Sequence, residues 1–77
     1  MTFSEAVAKR TKELLFDRKI SQYRLIKETC LEKSTIQYIF KNKTKDIRMS
    51  TLYLIAKFFN MTISEFTNVS YFNDFDI

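Results

Sequence analysis

The side chains best suited to chemistry lie in one short stretch, Lys33 to Lys41, and their spacing is helical. At 100° per residue, Lys33, Gln37, Lys41, Ser34 and Tyr38 share an arc of about 140°, while Ile39, Ile36 and Phe40 fall on the opposite side. A helix patterned in this way buries one face and offers the other to a partner. The offered groups are ammonium, amide and hydroxyl, which donate and accept hydrogen bonds but form no reaction centre. Histidine is absent from the 77 residues, which removes the commonest general base near neutral pH and the commonest metal ligand. No nucleophile–base pair or metal cluster is recognisable, so the expectation is a non-enzymatic protein without cofactor or metal. The one cysteine, Cys30, allows no internal disulfide and sits in no redox motif.

The net charge of +4 is unevenly spread. Residues 18–48 hold nine basic side chains (Arg18, Lys19, Arg24, Lys27, Lys33, Lys41, Lys43, Lys45 and Arg48) against Glu28, Glu32 and Asp46. Residues 49–77 hold Lys57 against Glu65, Asp74 and Asp76. A localised basic surplus is the electrostatic footprint of a polyanion binder.

Around this stretch the chain reads as one all-α domain spanning 1–77, with a core of 4–67 and an acidic, aromatic tail of 68–77. Gly and Pro are both absent. Tight β turns usually need them, whereas Asn can close a helix in the left-handed conformation; Asn42, Asn60 and Asn68 are placed to do so. The first helix starts at Ser4, or at the Thr2-x-x-Glu5 capping-box pattern, and ends near Asp17–Lys19, burying Val7, Leu14 and Leu15. Ser21 caps a second helix through Glu28 that buries Leu25 and Ile26, and Thr29 to Glu32 form a turn. The third helix runs from Lys33 to Phe40, followed by a polar, basic loop over 41–48. Ser50 caps a fourth helix carrying Leu52, Ile55, Ala56 and Phe59, and Thr62 or Ser64 opens a fifth with Ile63 and Phe66. The tail is apolar enough to pack on the domain or to meet a second copy. No run of about 18 apolar residues and no leader pattern occurs, so the expectation is a cytoplasmic protein with no membrane partner.

The stretch Ile20 to Phe66 resembles, without a gap, the helix-turn-helix of the XRE family, the class shared by phage Cro and phage repressors. The pieces in order are Ser21-Gln22, Leu25, Ser34-Thr35-Ile36, Lys43-Thr44-Lys45, Thr51-Leu52, Ile55-Ala56-Lys57 and Ile63-Ser64-Glu65-Phe66. The resemblance implies a compact five-helix, lambda-repressor-like bundle. It further implies a sequence-specific transcriptional regulator, of phage, plasmid or restriction-controller repressor type, bound as a homodimer to a double-stranded DNA operator.

By position, Lys33, Ser34, Gln37 and Tyr38 would meet base edges; Lys41, Lys43 and Lys45 would meet phosphates, and Gln22 would meet a phosphate or buttress the third helix. The chemistry agrees, since Lys donates to G O6/N7, Gln pairs with A N6/N7 and Ser serves either. Four residues depart from the pattern: Cys30 where Gly is usual, Glu32 in place of a Ser or Thr cap, Asn42 in place of Gly, and Thr11 in place of an aliphatic residue. The alternative is a protein-interaction module on the same fold, with the aromatic tail as a contact for a protein partner and operator binding weakened or lost.

Overall fold

The computed structural model describes residues 2–41 and 46–73, and every regular element among them is helical. In order these are α1 (Phe3–Arg18), α2 (Gln22–Thr29), α3 (Lys33–Phe40), α4 (Met49–Phe58), α5 (Ile63–Phe66) and a 3-10 turn, Ser70–Asn73. Helix α1 packs on α3, and α2 packs on α4, which also meets α5. The radius of gyration, 11.5 Å, matches the value of about 11–12 Å for one packed domain of this length.

Each helix start has a physical cause. Of the two starts left open for α1, Thr2 is the cap. Its Oγ1 accepts from the Glu5 amide at 3.2 Å, and Glu5 Oε1 accepts from the Thr2 amide at 3.0 Å. Ser4 is instead buried one position inside the helix. Thr62 and Glu65 repeat the same reciprocal pair at α5, with bonds of 3.0 and 3.1 Å. The expected cap at Ser50 is corrected: α4 begins at Met49, after Arg48 in extended conformation. Leu52 is buried, and its amide takes the Arg48 carbonyl at 3.1 Å, so the first turn closes ahead of Ser50. The turn after α2 is also one residue shorter than expected. Thr29 stays helical because its hydroxyl donates to the Leu25 carbonyl at 2.7 Å.

Helix ends in this glycine-free chain use other residues in the left-handed region: Lys19, Cys30 and Asn60, with φ of 55°, 59° and 59°. After Lys19 and Asn60, the amides of Ile20 and Met61 reach back to Leu15 and Ala56 at 2.9 and 3.0 Å, which satisfies carbonyls that the helix end leaves open. Asn60 thus acts as expected. Asn68 does not: α5 closes at Thr67 with φ −91°, where the Thr67 hydroxyl donates to the Ile63 carbonyl. Asn42 lies outside the described residues.

The core gathers Val7, Leu25, Ile36, Ile39, Leu52, Ile55, Phe59 and Phe66, all essentially without exposure. Thr11 is fully buried among them, yet its hydroxyl donates to the Val7 carbonyl at 2.7 Å. It therefore substitutes for an aliphatic side chain without leaving a polar group unpaired. The start of the tail turns inward. Phe72 is buried, with edge contacts to the Phe3 and Phe66 rings at 6.1 and 6.3 Å. Tyr71 lies under the Lys9 ammonium and donates its hydroxyl to Glu13. Burial, then the Glu13 carboxylate, raises the pKa of that phenol above its usual value.

Candidate nucleic-acid interface

Helix α3 is held from below by Ile36 and Ile39, which are 1% and 2% exposed. On its other side Lys33 and Ser34 are exposed, Gln37 is half-buried and Tyr38 is 54% exposed. The helical wheel therefore translates directly into a buried and an offered face. Lys41 follows as the exposed C-cap of α3. Gln22 is exposed as the first residue of α2, whose N-cap Ser21 accepts from the Arg24 amide at 3.1 Å. Lys43 and Lys45 lie outside the described residues.

The turn from Cys30 to Glu32 sets the direction of α3. Cys30 takes the left-handed conformation (φ 59°, ψ 18°), which a Cβ disfavours. The Thr29 hydroxyl accepts from the Leu31 amide at 3.4 Å and so helps to fix the reversal. Leu31 turns partly into the core. Glu32 is the N-cap of α3 by backbone geometry, but its carboxylate makes no capping bond to the first-turn amides.

Beside α3 lies an open cleft of about 530 Å³, lined by Glu32, Thr35 and Tyr38 on one wall and by Asp46, Ile47, Arg48 and Ser50 on the other. Arg48 is exposed and directly precedes α4, whose first turn has no side-chain cap. An exposed arginine at the positive end of a helix dipole adds to the local attraction for an anion. Sequence reasoning counted Arg48 in the basic surplus but not as a site residue. Its signal was a cation immediately ahead of a helix start, hidden by the expectation that α4 began at Ser50. Arg24, in contrast, is paired with Glu28 four residues on along α2.

Together these features form an exposed helix face with Lys33 at its start and Lys41 at its end, beside an open cleft. Among the described residues, no group of three or more His, Cys, Asp or Glu is placed to hold a metal, and no helix is long and apolar enough to cross a membrane. The arrangement can dock in a groove and exchange hydrogen bonds and charge with it. In comparisons with known proteins, the family model described as Cro/C1-type HTH DNA-binding domain matches residues 10–70. Neither the curated proteins nor the solved structures gave a match.

Proposed function

From the premise that the chain belongs to the Cro/C1-type helix-turn-helix DNA-binding domain family, we propose that it is a sequence-specific transcriptional regulator, a repressor acting on operator DNA in the cytoplasm. The observation that carries this reading is the division of α3: Ile36 and Ile39 are buried while Lys33, Ser34 and Tyr38 are exposed on one face. In the major groove that face meets base edges, with Lys33, Ser34, Gln37 and Tyr38 as the reading side chains. Gln22, Lys41, Lys43 and Lys45 hold phosphates and set orientation without reading sequence. Arg48 joins them from the far wall of the cleft.

The protein acts as a homodimer on two half-sites about one helical turn apart. With three phosphate lysines and Arg48 per chain, a dimer releases about eight counterions, so log K falls with log salt at a slope near −7. A gel-shift titration across genomic fragments at moderate salt tests this, with one or a few fragments preferred and footprinting giving two half-sites. Equal affinity for all fragments refutes sequence-specific regulation. A chain that lacks salt-dependent DNA affinity but retains a stoichiometric protein partner is instead an interaction module on this fold.

A further inference from the structure

Resting on that operator reading, we propose that Glu32 determines specificity by selecting a cytosine, through its N4 amino group, next to the bases met by Lys33 and Ser34. Glu32 immediately precedes Lys33, is exposed, and stands in extended backbone (φ −64°, ψ 141°) at the start of α3. A side chain at the N-cap ordinarily accepts from a first-turn amide, as the Thr2 and Thr62 hydroxyls do at α1 and α5. Here it does not. Among the described residues, the one hydrogen bond its carboxylate accepts is from the Ser34 hydroxyl, at 3.5 Å, which is long for such a pair. That contact places the carboxylate beside Ser34, one of the side chains assigned to reading bases. Among the described residues, no cation stands within ion-pair distance of it.

A free carboxylate on a face that approaches phosphates is repelled by every duplex alike. What compensates it in the major groove is an exocyclic amino group. Adenine offers one at N6 but sets the N7 acceptor beside it, and guanine and thymine present acceptors that repel the carboxylate. Cytosine alone presents a donor at N4 without an adjacent acceptor on its own edge. Glu32 therefore acts in two ways: it lowers affinity for DNA in general, and it restores that affinity opposite cytosine. The side chain is not needed for the fold, because it caps nothing and is exposed.

The test is selection from a randomised duplex library with the full chain, Glu32→Ala and Glu32→Gln, each at several salt concentrations. The wild-type motif should carry a cytosine at one position per half-site, preferred by roughly tenfold. Glu32→Ala should lose that preference and bind other sequences more tightly. Glu32→Gln should move it toward adenine, whose N6 and N7 a carboxamide meets together. Thermal melts of both variants should stay cooperative, lowered by no more than the few degrees that one carboxylate at a helix N-terminus supplies. A cytosine preference that persists in Glu32→Ala overturns the assignment while leaving the operator reading intact. A wild-type chain that enriches no sequence overturns the operator reading itself, and the Glu32 assignment with it.

Discussion

Replacing Cys30 by glycine should stabilise the protein, although cysteine is the natural residue at the turn that aims α3. The residue sits at φ 59°, ψ 18°, where the Cβ of an L-residue costs about 1–2 kcal/mol. Glycine removes that cost but has more freedom in the unfolded chain, which returns about 0.4–1 kcal/mol. The Cys30 side chain is exposed, so no core contact is lost. The net gain is about 1 kcal/mol, equivalent to a rise in melting temperature of about 4–8 °C for a domain of this size.

The control is Cys30→Ala, which removes the thiol but keeps the Cβ and should gain nothing. Lys19→Gly, at φ 55°, should stabilise similarly, and Asn60→Gly much less, since Asn tolerates the left-handed region. Thermal denaturation followed by circular dichroism under reducing conditions reads all four. A Cys30→Gly protein no more stable than wild type, or one matched by Cys30→Ala, refutes the account of backbone strain at this turn.

Other outcomes follow from the same structure. Lys33→Ala should change preference at one base pair by about 1–3 kcal/mol, whereas Lys41→Ala should weaken all sequences alike and reduce the salt slope by about 1 per chain; competition binding at two salt concentrations separates them. Phe72→Ala should destabilise the fold by about 3–5 kcal/mol, because that ring is buried against Phe3 and Phe66; urea titration measures it. Glu65 has a carboxyl pKa held below its usual 4.5, chiefly by the Thr62 amide and then by the Thr62 hydroxyl. Its contribution is therefore present above pH 4.5 and lost as pH falls through the lower folded value. Melting temperature should show a smaller acid-side decline in Glu65→Gln than in wild type.

What could be read from the sequence was whatever depends on near neighbours. The α3 boundaries, the Ser21 cap and the buried series Leu52, Ile55, Ala56 and Phe59 each follow from side chains within a turn or two of one another. The start of α4 was misplaced because Ser is a better cap than Arg in isolation, while the packing of Thr51 and Leu52 decided the register. The choice left open for the tail needed the third dimension, since Tyr71 meets Glu13 58 residues away. Of the candidate interface, the buried and exposed sides of α3 were legible, while the placing of Arg48 at the cleft beside α3 was not, because that wall comes from a segment remote in sequence.

The bonds that hold the bundle together along α1 were equally invisible in the sequence, and they bear on which cations can serve DNA. Arg10, Lys12 and Arg18 donate to the carbonyls of Phe66, Phe40 and Phe59 at 2.8, 3.2 and 2.6 Å. Each also lies over the ring of the residue whose carbonyl it takes, at 6.0, 5.6 and 5.5 Å from the centroid. Phe66 and Phe40 are the last residues of α5 and α3, and Phe59 is the C-cap of α4; there unpaired carbonyls and the negative end of the dipole favour a cation. One helix thus secures the C-terminal ends of three others without glycine. Arg18 and Arg24, two of the nine cations in the basic stretch, are therefore engaged within the molecule. Lys12 meets the far end of α3 while Cys30 sets its near end, so both termini of that helix are tied to the bundle, and the proposed operator reading requires it to present the face carrying Lys33.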